Sequence, residues 1–162
     1  MAGSRSKQLI LALQLEPHPE GGFYREVFRS PAVVKPGDGR GTRAALSAIY
    51  FLLGEGGTSR WHSVRSDEQW TFLEGDPLEL LVIDRATFGV TVHRLGASSG
   101  GDITTAVVPG GAWQAARALG THALVTCTVG PGFDFADFAF MADDAAAAAR
   151  LRGEAPDLVR LL

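Results

Sequence analysis

Residues 56–75 read GGTSRWHSVRSDEQWTFLEG, a histidine and an acid set among strand-forming residues and bounded by glycines. Side chains two apart on a strand point to the same side, so His62 and Val64 share one face. Glu68, Trp70 and Phe72 likewise share a face, and Thr71 takes the opposite one. A hairpin at Arg65 to Asp67 is expected to return Glu68 beside His62. An imidazole and a carboxylate brought together this way form a candidate site.

The chain on either side repeats the strand pattern. Phe23–Arg29, Ala44–Leu53, Leu78–Asp84, Gly89–Leu95, Thr104–Val108, Trp113–Ala118 and His122–Val129 are short β-prone segments broken by Gly and Pro. Strands at this spacing, with turns between them, predict an all-β sandwich or barrel rather than alternating strands and helices. Residues 4–15 predict a short helix stopped by Pro17 and covering one end of the barrel. Asp143 and Asp144 before five alanines, with Arg150 and Arg152 after them, complement a helix dipole, and a second short helix from Pro156 follows. Pro31–Thr42 predicts a mobile loop.

A chain of 162 residues suits a single domain, 1–162, with a core over about 20–140 and terminal helices over 4–15 and 143–162. The net charge is −3, and the 15 Lys and Arg are scattered singly, which argues against a nucleic-acid or anionic membrane partner. No apolar run approaches the length of a membrane span. The single Cys127 excludes an intrachain disulfide, and with no secretion signal read at the start the expected compartment is cytoplasmic.

The spacing Gly56, His62, Val64, Glu68, Gly75 resembles the first cupin motif, G-x5-H-x-H-x3-E-x6-G, with Val64 in place of its second histidine. Pro109, Gly111 and Gln114 resemble the second, G-x5-P-x-G-x2-H-x3-N, with Gln114 in its histidine slot. The order and spacing of PHPEGGFYRE, SAIYFLL, SRWHSVRSDEQW, GDPLEL, VVPGGAWQA and CTVGPGFDFADF, from residue 7 to 162, resemble one cupin group, the DUF985 or cupin-5 family. The resemblance implies a cupin double-stranded β-helix, a jelly-roll barrel with short terminal helices, in a homodimer. It implies no established biochemical role, and fold likeness carries no chemistry across.

In metal cupins the motif residues converge on one ion. Here two of four usual ligands remain, so no metal is expected, and any metal would rest on His62, Glu68 and Gln114. His62 is either a base in the barrel mouth or a histidine satisfied by Glu68. Glu68 either meets a ligand or pairs with His62 or Arg25. Gln114 either reads a polar heterocycle or sugar hydroxyl, or closes a hydrogen-bond network. Glu20, Arg25, Tyr50 and Trp70 complete the candidate ligand contacts, Arg25 for an anion and Trp70 by its parity with Glu68. PHPEGGFYRE, which also carries His18, is either part of the site or a rigid crossing at the barrel end or dimer seam.

These residues predict a protein that binds a small polar, planar or sugar-like molecule. Any catalysis would be proton transfer of the epimerase or isomerase kind, with His62 as base and Glu68 orienting it. The alternatives are a metal-dependent oxygenase or hydrolase with a reduced His/Glu/Gln site, and a non-catalytic binding or structural dimer.

Overall fold

Two antiparallel sheets packed face to face place the site between them. The computed structural model describes residues 4–162, so residues 1–3 of the expected domain lie outside the described residues. Helix α1 (Arg5–Ala12) is shorter than the expected 4–15, because Ser4 makes no side-chain cap and Gln14 turns with φ +53°. Strands β1 (Glu16–Pro17) and β2 (Phe23–Arg29) follow, then a small hairpin of β3 (Val33–Val34) and β4 (Arg43–Ala44). Next come β5 (Ser47–Gly54), β6 (Thr58–Val64), β7 (Asp67–Gly75), β8 (Leu78–Ile83) and β9 (Val90–Leu95). The sheets are completed by β10 (Thr105–Val108), β11 (Trp113–Ala118), β12 (His122–Gly130) and β13 (Phe138–Phe140).

One sheet has the order β1-β2-β5-β12-β7-β10 and the other β13-β6-β11-β8-β9. Between them Phe51, Leu53, Trp70, Val125 and Cys127 meet Leu78, Leu80 and Ala116. Each outer face is covered in part by helix. Leu9 and Leu15 pack on Leu52 and Leu124, so α1 lies against a sheet face and not across the barrel end. Helix α2 (Ala145–Glu154), capped by Asp144, and the 3-10 turn Pro156–Leu161 bring Leu151 and Leu161 onto Trp61 and Trp113. Trp61 Nε1 donates to the Leu158 carbonyl at 3.1 Å, which satisfies the one polar atom of a fully buried ring.

Three expectations are corrected here. β6 and β7 do not form a hairpin. β6 pairs with β11 and β13 while β7 pairs with β10 and β12, so Arg65 and Ser66 carry the chain from one sheet to the other. Glu68 therefore faces His62 across the sandwich, not along a shared sheet. The segment expected to be a mobile loop is anchored: Arg40 and Arg43 both donate to the buried Asp137, at 3.0 and 2.8 Å. Finally β13, which starts at the last residue of the FDFADF stretch, is a strand outside the expected series and forms the edge beside β6.

Candidate functional site

The segment PHPEGG builds one wall of the site. His18 N–H donates to the Gly22 carbonyl and Gly21 N–H to the His18 carbonyl, at 3.1 and 3.0 Å, a turn that requires φ of +114° at Gly21 and +68° at Gly22. Side chains with a Cβ rarely adopt such values. The turn is stitched to β6 by Arg60 N–H donating to the Glu20 carbonyl at 2.8 Å. Glu20 is thereby sent between the sheets, where it is 6% exposed.

Its two oxygens have separate partners. Oε1 accepts from Ser59 Oγ at 2.9 Å. Oε2 lies 3.2 Å from His62 Nε2 and 3.5 Å from His18 Nδ1. The neighbours assign the protons. His62 Nδ1 sits 2.7 Å from the Arg60 carbonyl, which can only accept, so Nδ1 carries hydrogen and neutral His62 presents a lone pair at Nε2 to Glu20. His18 Nδ1 accepts the Glu20 N–H at 3.2 Å, so its hydrogen is on Nε2.

Burial acts on these groups in the same sense. It pushes the Glu20 carboxyl up to about 8, against the hydrogen bond from Ser59. It lowers His18 to about 4, with His62 adding to the effect, and lowers His62 against the opposing pull of Glu68 and the Arg60 carbonyl. At neutral pH the geometry therefore holds one proton between Glu20 Oε2 and His62 Nε2, on a pair without net charge.

Glu68, 7% exposed, stands beside them. Burial raises its carboxyl, and Glu20 adds to the rise while His62 and Gln114 oppose it. Gln114 Nε2 donates to Glu68 Oε2 at 2.6 Å, and Gln114 Oε1 accepts from Trp70 Nε1 at 3.0 Å. Both ends of the amide are thus engaged, and Gln114 closes a network instead of facing a ligand. Trp70, though on the inner face as expected, packs edge-on against Phe51 in the core at 5.6 Å and does not line the cavity.

Above these groups opens a cavity of about 410 Å³. His18, Glu20, His62, Val64, Glu68 and Cys127 all line it. Tyr24, Phe133 and Phe135 supply aromatic wall, and Arg29 and Asp134 also reach it. Arg25 and Tyr50 are corrected: neither lines it. Tyr24 and Glu26 face the cavity, so Arg25 points away, donating to Gln14 Oε1 at 3.1 Å. Tyr50 packs under α1 with Leu52, while its neighbour Ile49 faces inward. Arg29 arrives instead because the ladder shifts register between Glu26 and Phe28, reversing the parity. Two of the three rings come from GPGFDF, whose closely spaced phenylalanines after Gly-Pro are the one sequence signal that marked them.

The proposed metal set does not fit an ion. The carbonyl oxygen of Gln114, the one donor its amide has for a cation, is turned to Trp70. Val64 offers an apolar side chain where the motif has imidazole. Among the described residues no group of three or more His, Cys, Asp and Glu is placed to hold a metal.

A jelly roll with its site between the sheets, His62 and Glu68 at the motif positions and Gln114 across from them, defines a cupin. The chain belongs to the cupin superfamily family DUF985, whose model matches residues 7–141. An uncharacterized protein of Saccharomyces cerevisiae, YML079W, is 30% identical over 154 residues, covering 85% of this chain and 76% of that protein. Among solved structures, protein SO0799 from Shewanella oneidensis is 32% identical with a TM-score of 0.82, covering 100% of this chain and 98% of that one. A hypothetical protein from Leishmania major is 33% identical with a TM-score of 0.81, covering 96% and 94%. Oxalate decarboxylase from Bacillus subtilis, at 14% identity and a TM-score of 0.59 over 85% of this chain and 33% of its own, shares the fold alone.

Proposed function

We propose that this cupin binds a small polar molecule in the cavity between its sheets and transfers protons on it, as an isomerase or epimerase does. The Glu20–His62 pair serves as acid and base, with Glu68 beside it. One observation supports this most: a neutral imidazole, its tautomer held by the Arg60 carbonyl, meets a buried carboxyl at 3.2 Å on the wall of a cavity. A pair that holds one proton can take a second from a bound C–H or O–H group and return one to a different position or face. No electrons are gained or lost, and the proton count closes. Glu20 thus takes the partner role first expected of Glu68, whose carboxylate is engaged by Gln114.

Exchange with solvent tests the reading. In D2O, a substrate of such a pair gains deuterium at the transferred position, visible by NMR in a panel of sugars and planar heterocycles. His62→Ala is expected to slow that wash-in by about 10²–10⁴-fold. Wash-in that proceeds at an unchanged rate in His62→Ala would sink the assignment.

A further inference from the structure

We infer that the ligand of this cavity is a cation, a small amine or amidine with a flat or apolar body, and that phosphorylated or carboxylated molecules are rejected. The inference rests on the proposed role of the cavity as a small-molecule site and names the ligand's chemical class.

The walls carry five carboxyl groups, Glu16, Glu20, Glu26, Glu68 and Asp134, and Arg29 is the one Lys or Arg among the lining residues. Its charge is paired with an acid of the same wall, and three of its five N–H groups are taken. Its Nε and Nη2 donate to Glu26 at 3.0 and 2.6 Å, and its Nη1 donates to the Phe133 carbonyl at 3.0 Å. The two histidines supply no positive charge, since His18 Nδ1 accepts a backbone N–H and His62 Nε2 faces Glu20. An anion entering here meets one guanidinium whose charge is already paired with Glu26, and stands beside Glu68 in a low-dielectric setting, where like-charge repulsion is strong. With Glu20 sharing a proton with His62 and Glu26 paired with Arg29, a cation meets the acidic side chains of Glu16, Glu68 and Asp134 and the rings of Tyr24, Phe133 and Phe135, whose faces attract positive charge. The oxalate in the name of the distant neighbour is a dianion, the charge this cavity opposes. Protons follow the ligand: a cation beside Glu20 and Glu68 favours their ionised forms, so binding releases protons.

Two matched series separate charge from shape: benzylamine, benzyl alcohol and benzoate, and glucosamine, glucose and glucose 6-phosphate. Calorimetry is expected to show the amine in one series bound on the order of tenfold more tightly than its neutral partner. The anion shows no binding, and the heat of amine binding changes with buffer ionisation enthalpy as protons leave. Glu68→Gln keeps the shape and the Gln114 contact, and is expected to reduce the preference for the amine over benzyl alcohol or glucose on the order of tenfold. If benzoate or glucose 6-phosphate binds as tightly as the amine, the charge inference falls and the cavity reading stands. A preference for the amine unchanged in Glu68→Gln also overturns the inference. No binding by any of the six at millimolar concentration overturns both.

Discussion

Asp137→Ala is expected to cost the fold about 3–5 kcal/mol, or on the order of 10 °C in Tm. The carboxylate is buried and accepts from Arg40 Nη1 at 3.0 Å, Arg43 Nε at 2.8 Å and Arg43 Nη2 at 2.8 Å. The guanidinium groups hold it below the usual carboxylate range, Arg43 first and Arg40 next. Their side chains are only 6% and 11% exposed, so removing Asp137 takes away their one buried acidic partner and leaves two near-buried cations with only the exposed Asp38, 3.0 Å from Arg40, and Asp134, 4.0 Å from Arg43. The damage extends past β3 and β4. Asp137 ends the 3-10 turn Phe135–Asp137, next to the Phe133–Phe135 wall of the cavity, so the latch also sets the shape of the site. Asp137→Asn keeps the shape but not the charge and is expected to fall between wild type and alanine. Thermal unfolding of the three proteins is the check. A loss below about 1 kcal/mol for the alanine variant, the range of an exposed pair, would contradict the latch.

The second large effect is at Gly21. A Cβ there would lie 2.2 Å from the Thr58 carbonyl oxygen, a backbone atom, and φ is +114°. Overpacking and a disfavoured backbone together give an expected cost of about 3–5 kcal/mol for Gly21→Ala. The clash pushes the turn off β6 at the residue beside Glu20, so the Glu20–His62 contact is expected to be lost with the stability. Gly37→Ala is the control, because nothing lies within 4 Å of its Cβ. Denaturant unfolding of both variants measures the difference, and a Gly21→Ala midpoint equal to that of Gly37→Ala would remove the argument.

Sequence made much of this site legible, and its failures have physical causes. Period-2 parity grouped Glu68 with Trp70 on β7, which alternates cleanly about a buried side, and His62 with Val64 on β6, where both faces are buried and the motif spacing supplied the direction. Tyr50 could not be assigned the same way. The run from Ala44 to Leu53 is apolar on both faces, since α1 covers the outer one, so parity carries no direction there. Arg25 points outward by the plain alternation of β2, with Tyr24 and Glu26 facing in, while Arg29 turns inward at a register shift with no residue signature of its own. The pairing of His62 with Glu20 spans a turn and a change of element, which strand spacing does not encode. What the sequence did offer was two prolines and two glycines around His18 and Glu20, and the structure explains the glycines by positive φ and close backbone approach. The incomplete cupin motif leaves Gln114 in a histidine slot, where spacing alone does not choose between reading a ligand and closing a hydrogen-bond network. Its amide is spent between Trp70 and Glu68.

The acid–base role of the Glu20–His62 pair depends on the state of one carboxyl, that of Glu20. Carbon-13 NMR of the glutamate side-chain carboxyls, with the Glu20 signal assigned by its loss in Glu20→Gln, follows that state directly through the neutral range. A midpoint near 8 is the result the geometry predicts, with Glu20 protonated against His62 Nε2 at neutral pH. A midpoint in the ordinary glutamate range, about 4.3, would leave Glu20 a plain carboxylate with no proton to hand over, and would contradict the acid–base role assigned to the pair.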